Sequence, residues 1–158
     1  MNNLLPIFMK LHEKRCLVVG GGKIALQKIY QLIESKAAVT VVAPDICAPI
    51  LSQDVTVINR HYVSSDLNGV KLVIAATNDK KVNQNIFKDA NKRGLPINVV
   101  DCPELCSFYM GSVYHDGDLK IAVSTNGKCP SFGVYVKDYI CNISKGLWGN
   151  VLNELSNK

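Results

Sequence analysis

Residues 15–36, "RCLVVGGGKIALQKIYQLIESK", constrain this chain more than any other stretch. Cys16–Val19 is a continuous apolar run stopped by three glycines, the pattern of a parallel strand buried on both faces. Ile24, Leu26, Ile29, Leu32 and Ile33 then recur near helical spacing, so one stripe of a helix packs on a sheet. Between strand and helix stands Gly20-Gly21-Gly22-Lys23-Ile24-Ala25, a G-x-G-x-x-A turn. In that setting Gly20 permits the tight turn, Gly22 lets the backbone approach a pyrophosphate, and Ala25 allows close helix–strand packing. The phosphates would rest on the helix N-terminus, where free N–H groups and the helix dipole favour anions. The motif alone is weak, and the strand–turn–helix context makes it strong. The competing reading is a glycine-rich turn with no ligand.

The alternation continues. "AVTVVAP" reads as a second buried strand stopped by Pro44, and "DICAPILSQD" as a short helical turn interrupted by Pro49. "VTVINR" and "VKLVIAAT" are the third and fourth strands, joined by turn chemistry in "SSDLNG" and too few residues for a helix. "NDKKVNQNIFKDANKRG" is a helix with Asn78 or Asp79 as cap, a stripe of Val82, Ile86 and Ala90, and Gly94 as its stop. "LPINVVD" is the fifth strand. The class is α/β: a Rossmann-type, doubly wound parallel sheet over residues 1–102.

After Asp101 the grammar changes. Residues 103–158 read as two strands around an Asp116-Gly117 turn, then a helix with Pro130 near its start, broken at Gly146. A shorter helix follows, with Leu147, Val151, Leu152 and Leu155 as its stripe. A lone hairpin with two helices buries little by itself, so this part is expected to pack on a second copy and form a homodimer.

Composition narrows the class. At 158 residues the chain can bury a core without metal or disulfide help. The charge of +5, from 18 Lys and Arg against 13 Asp and Glu, is scattered and fits an anionic small molecule. No nucleic-acid motif and no membrane-length apolar run is present, so neither partner is expected. "MNNLLPIFMK" lacks the features of a signal peptide, and a cytoplasmic location is expected. The six Cys lack zinc spacing; Cys102 and Cys106 form a C-x3-C pair with no second pair, so reduced thiols and no metal site are expected.

Ligands of such sheets bind beyond the carboxyl ends of the strands. Thr77, Asn78 and Asp79 lie there, with an N-cap as the alternative role for Asn78 or Asp79. The ribose-binding acid should end the second strand; here Ala43 and Pro44 precede Asp45, which reaches the ribose from just past it. No Arg follows to receive a 2′-phosphate and Asp45 would repel one, so NAD is favoured over NADP. Asp101 ends the fifth strand, where Asp is a poor strand residue. It is either a turn-former or a carboxylate held out for chemistry.

"LPIFMKL", "CLVVGGGKIALQK", "VTVVAP", "DLNGVKLVIAATND", "NVVDCPELCSF" and "IAVSTNGKCPSF" occur in an order and spacing that resemble the precorrin-2 dehydrogenase family, which includes the N-terminal part of siroheme synthase. The resemblance runs from Leu5 to about Ile143. It implies NAD-dependent oxidation of precorrin-2, a tetrapyrrole with several carboxylates, to sirohydrochlorin on the route to siroheme or cobalamin, by a homodimer. It places the catalytic carboxylate on Asp101 and cofactor contacts on Lys23, Ile24, Pro44 and Asp45. Some family members also insert ferrous iron, which the same carboxylate would meet. Ser124, Thr125, Asn126, Gly127 and Lys128 fall on the family's substrate segment. Thr125 replaces a Ser there and Asn126 a Gly. Family members commonly continue into a longer helical part, whose shortening counts against iron insertion more than against hydride transfer. No methyltransferase domain is present, so the fused multifunctional enzyme is not expected.

As a base at neutral pH, an Asp with an ordinary pKa near ~3.9 is helped by partial burial, which the mechanism therefore expects of Asp101. Lys128, Lys137 and Arg60 are candidate partners for substrate carboxylates; for each Lys alone a solvated surface charge is the favoured reading. Two other functions compete. One is a non-enzymatic NAD-sensing Rossmann module, which needs no carboxylate beside the nicotinamide. The other is a ferrochelatase with a vestigial dinucleotide fold, against which the intact glycines argue.

Overall fold

The computed structural model describes residues 4–157. Residues 1–3, which open the stretch read for a leader, and Lys158 lie outside the described residues. The chain divides into two compact units, Pro6–Phe108 and the part from Tyr109 onward joined by Leu4 and Leu5.

The first unit is a five-stranded sheet of β1 (Arg15–Val19), β2 (Ala38–Ala43), β3 (Thr56–Asn59), β4 (Leu72–Ala75) and β5 (Ile97–Val99) in the order β3-β2-β1-β4-β5. All pairs are parallel. This is the order of a doubly wound dinucleotide-binding half. The helices are α1 (Lys23–Glu34), the single turn α2 (Ala48–Leu51) and α3 (Lys80–Lys92). Val19 stands opposite both Val42 and Ala75, and Ala75 opposite Val99. Four strands therefore release their chains at one edge and nearly one level.

The continuous apolar runs are buried on both faces. Leu17, Val19, Val73, Ala75, Ile97 and Val99 share one cluster with Ile86 and Ala90 of α3. The pleat sends Cys16 and Val18 to the other face, where α1 buries Ala25, Ile29 and Leu32. Each fully buried Leu or Ile contributes about 1.5–3 kcal/mol, enough for this sheet to hold without cross-links. The stripes differ in part from the sequence reading. Ile24 is exposed, and Asn83, not Val82, completes the buried row of α3. The cap of α3 is Asp79, whose carboxylate accepts from Lys81 N–H (2.8 Å) and Val82 N–H (3.2 Å); Asn78 does not cap.

Between β3 and β4 the chain makes a 3₁₀ turn, Ser64–Leu67, in place of a helix. Asp66 ties this turn down, accepting from Arg60 Nη2 (2.6 Å), Arg60 Nη1 (2.9 Å) and Val63 N–H (2.9 Å). Arg60 is thus committed to a fork-on-carboxylate pair with Asp66 and is not a free cation for a substrate.

The edge of β5 has no sixth strand. Instead the chain turns at residues 100–105 and folds back along it. Ser107 N–H donates to Ile97 O (2.9 Å), and Ile97 N–H donates to Ser107 Oγ (2.8 Å). Val99 N–H donates to Cys106 Sγ (3.2 Å), and Asn98 Nδ2 to Phe108 O (2.9 Å). This closes an edge that would otherwise invite another strand.

The second unit pairs β6 (Ser112–Asp116) with β7 (Leu119–Val123) antiparallel, followed by α4 (Pro130–Ser144) and α5 (Trp148–Ser156). The hairpin turn sits one residue later than expected. Asp116 pairs with Leu119 in the ladder, so Gly117 and Asp118 form the loop and the positive φ of 59° falls on Gly117. Tyr114 and Ser144 share a buried hydroxyl–hydroxyl bond that joins β6 to α4. The expected stripe of α5, Leu147, Val151, Leu152 and Leu155, is exposed within the chain, as are Phe132 and Tyr135 of α4.

The Asp66 pair makes stability depend on pH. Hydrogen bonding from Arg60 holds the Asp66 carboxyl below its ordinary value of 3.8. A depressed carboxyl stabilises the fold above its unfolded pKa and loses that contribution as pH falls through the folded one. Asp66→Asn is expected to lower the urea midpoint at pH 7. The gap to wild type should narrow once the pH drops under 3.8 and close below the depressed value, in urea titrations across that range.

Candidate functional site

The glycine turn is wedged between two backbones. At Gly20, φ is +129° and a Cβ would lie 2.2 Å from Ala76 O. At Gly21 a Cβ would lie 2.0 Å from Asp45 O, and Cys47 N–H donates to Gly21 O at 2.9 Å. Real Cβ atoms do not approach that closely, so glycine is obligatory at both places. Gly22 differs: a Cβ there would meet nothing within 4 Å. It opens α1, and no side chain caps that helix. An uncapped N-terminus behind an open glycine is a cradle for an anion, so the residues present fit a dinucleotide pyrophosphate.

A cavity of about 590 Å³ lies over this turn, a size that suits a small-molecule ligand. It is lined by Gly20, Gly21, Gly22, Pro44, Asp45, Thr77 and Asn78, all expected from sequence, and also by His61 and Tyr62. Lys23 and Ile24, on the first turn of α1, are exposed and outside that lining.

Thr77 is held by a residue the sequence reading missed. Asn83 is buried on α3, at helical spacing with Ile86 and Ala90. Its Oδ1 accepts from Thr77 Oγ1 (2.7 Å) and Thr77 N–H (3.3 Å), and its Nδ2 donates to Thr77 O (2.9 Å). A polar residue on an apolar stripe was the available signal. Losing Asn83 would take the partner from the part-buried N–H and carbonyl of Thr77, a cost of about 1–3 kcal/mol. His61 gave no such signal. Tyr62 donates to Asp89 Oδ2 at 3.1 Å, and burial, then Asp89, pushes its hydroxyl well above its ordinary pKa.

Asp101 lies two residues beyond β5, at the apex of the fold-back, with φ of +57°. Its neighbours are pinned: Val100 N–H donates to Ala75 O (2.9 Å) and Cys102 N–H to Val99 O (3.3 Å). Non-glycine residues rarely take this conformation, and Asp is among those that tolerate it. The expected partial burial is not found; Asp101 is exposed, because the turn carries it off the sheet edge. Strands are spaced about 4.8 Å, so Asp101 stands two strands across from the glycine turn, roughly 10 Å away. Asp45 leaves from β2, on the opposite side of β1.

The thiols around that turn are occupied. Cys106 accepts from Val99 N–H, and burial raises its pKa. Cys102 donates to Glu104 Oε1 (3.0 Å), which raises the Cys102 pKa and lowers that of Glu104. Among the described residues no group of three His, Cys, Asp or Glu is placed to hold a metal ion.

The segment 124–128 connects β7 to α4 in the second unit. Asn126 and Gly127 have φ of 56° and 75°. Asn tolerates this region, which accounts for Asn126 where the resembling family has Gly. Ser124 Oγ accepts from Asn126 N–H (3.2 Å), and Thr125 Oγ1 accepts from Cys129 N–H (3.2 Å) at the start of α4. Lys128 is exposed, and Lys137 pairs with Asp138 at 2.6 Å.

A family model described as putative NAD(P)-binding matches residues 7–112. The siroheme synthase of Methylobacillus flagellatus is 39% identical over 151 residues, covering 93% of this chain and 32% of that protein. That of Thioalkalivibrio sulfidiphilus is 35% identical over 153 residues, covering 94% and 31%. The chain thus spans about a third of the length of these curated relatives. Among solved structures, SirC, a precorrin-2 dehydrogenase, matches with a TM-score of 0.80 at 26% identity, covering 98% of this chain and 78% of that one.

The open face of Gly22 has a direct test. Gly22→Ala needs no strained backbone, since φ is −94° with nothing near the new methyl. It should leave the melting midpoint within about 2 °C of wild type and weaken dinucleotide binding about tenfold or more. Gly21→Ala should lose both stability and binding. Thermal melts and fluorescence titration with NADH separate the two.

Proposed function

The chain belongs to the putative NAD(P)-binding family, and from that premise we propose that it is an NAD-dependent precorrin-2 dehydrogenase that releases sirohydrochlorin. The observation that carries the reading is a single sheet edge with the anion cradle of Gly22 at its centre and a pinned, exposed carboxylate, Asp101, two strands away. The likeness to a precorrin-2 dehydrogenase over 98% of the chain supports it.

The N–H groups of α1 hold the pyrophosphate. Asp45, exposed beside the cavity, takes the ribose hydroxyls and disfavours a 2′-phosphate, so the cofactor is NAD. Pro44, Thr77 and Asn78 wall the cofactor, and Asn83 sets Thr77 in place. Lys23 and Ile24 present their amides at the first turn of α1. The nicotinamide, when bound, supplies the hydride acceptor. Asp101 accepts the proton that the substrate loses with the hydride; its left-handed turn holds the carboxylate beyond the strand end, in reach of a bound macrocycle. Ser124 to Lys128 contribute backbone amides and the Lys128 ammonium to the substrate's carboxylates. The exposed apolar faces of α4 and α5 seat a second copy of the chain, giving a homodimer. No described helix is long and apolar enough to cross a membrane. Six free cysteines accord with work in a reducing cytoplasm.

The test is anaerobic turnover of precorrin-2 with NAD, followed by the absorbance of NADH and sirohydrochlorin. Asp101→Asn is the cleaner variant, because Asn tolerates the positive φ as Ala does not. It should cut kcat about 10²-fold or more while NAD binds within twofold of wild type. Wild type that binds NAD and never oxidises precorrin-2 would make the chain an NAD-sensing module. Full activity in Asp101→Asn would return Asp101 to the role of turn residue.

A further inference from the structure

The cavity over the glycine turn has two ends, and the strand order tells them apart. Asp45 leaves from β2 and the glycine turn from β1, so the half of a dinucleotide on the far side of its pyrophosphate from Asp45 falls at the exit of β4. The lining there is Ala76, Thr77, Asn78, Asp79 and Val82. Ala76 and Val82 make an apolar wall, and Val82 is packed against the core cluster. Such a wall suits a flat ring with one polar substituent, provided that one side chain can meet the substituent.

Two of the three polar side chains at this end are committed inside the protein. Every polar group of Thr77 has a partner. Its N–H donates to Asn83 Oδ1 (3.3 Å) and its carbonyl accepts from Asn83 Nδ2 (2.9 Å). Its hydroxyl donates to Asn83 Oδ1 (2.7 Å) and accepts from Asp79 N–H (3.2 Å). Asp79 caps α3 through Oδ1, which accepts from both Lys81 N–H and Val82 N–H. Asn78 stands between these two fixed residues. It is exposed and lines the cavity, and among the described residues its side-chain amide makes no hydrogen bond. The other polar side chains of the lining, Asp45, Cys47, His61 and Tyr62, follow β2 and β3. Those strands lie two and three places from β4, roughly 10 Å or more away.

A primary amide offers a carbonyl acceptor and an NH2 donor. The carboxamide of a nicotinamide offers the same pair, so the two groups are complementary. We propose that the Asn78 side chain recognises the carboxamide of the nicotinamide and so sets how the ring lies against Ala76 and Val82. This rests on the NAD reading above and adds to it a specificity-determining residue for the half of the cofactor that Asp45 and the glycine turn do not reach. The clamp of Asn83 on Thr77 and the cap of Asp79 on α3 hold the backbone on either side of Asn78.

The experiment titrates wild type, Asn78→Ala and Asn78→Asp with NADH by fluorescence, and with NAD and ADP-ribose by calorimetry. ADP-ribose keeps the adenosine and the pyrophosphate and lacks the ring. Asn78→Ala should weaken NADH and NAD about tenfold and leave ADP-ribose within about twofold, with the melting midpoint within about 2 °C of wild type. Asn78→Asp puts a negative charge beside the ring. It should tighten NAD relative to NADH about threefold, because only the oxidised ring is cationic. Should Asn78→Ala not fold, Asn78→Ser is held to the same criteria. Unchanged NADH affinity in Asn78→Ala overturns the proposal, as does an unchanged ratio of NAD to NADH affinity in Asn78→Asp. Equal losses of NADH and ADP-ribose also overturn it, and would make Asn78 a support of its loop. Wild type that binds neither NADH nor ADP-ribose overturns the NAD reading, and this assignment falls with it. Turnover of precorrin-2 decides the dehydrogenase reading separately, since none of these titrations needs that substrate.

Discussion

The first unit hangs on the passage of one turn between two neighbouring backbones. Gly20 slides under Ala76 and Gly21 under Asp45, each closer than any side chain allows. That contact locks the exits of β1, β2 and β4 together at one level. The glycine turn, Asp45, Thr77 and Asn78 leave the sheet from those exits, because the strands themselves are apolar and buried on both faces. Gly22, one residue further, has open space around it and a helix end behind it. Three adjacent glycines thus serve different ends: two make the scaffold close, and the third leaves room for a ligand.

The fifth strand solves a second problem with the same segment that carries the carboxylate. As the last strand of the sheet, β5 has an unpaired edge. Cys106, Ser107 and Phe108 return to satisfy it. The reversal this demands puts one residue at an apex with a positive φ, and that residue is Asp101. Asp101 therefore occupies the turn position, and under the proposed function the same position presents its carboxylate. The segment closes the edge by placing Asp101 at the apex, and the pinned backbone fixes where the carboxylate stands.

Charge is distributed to suit that arrangement. Arg60 and Lys137 are each neutralised by a neighbouring acid, so neither is free for an anion. In the second unit, the hydroxyls of Ser124 and Thr125 shape the loop that starts α4.

Much of this was legible in the sequence because it depends on local chemistry. Apolar runs bounded by glycine or proline marked the strands, the G-x-G-x-x-A turn marked the dinucleotide edge, and Gly94 and Pro130 marked helix ends. What was not legible depended on which residues meet across the fold. Asp79 rather than Asn78 capped α3 because the geometry of the β4 exit selected it. The hairpin turn moved by one residue because Asp116 joined the ladder. Asp101 was exposed rather than partly buried because its turn leaves the edge strand. Asn83 was a polar position on the apolar stripe of α3 whose partner the sequence did not name. Its role appeared only when the exit of β4 brought Thr77 to it. The sequence by itself determined the elements and the ligand-binding edge, since these follow from periodicity and backbone freedom. The tertiary structure alone decided which charges are spent and which are left open, since pairing is a property of distances between segments far apart in the chain.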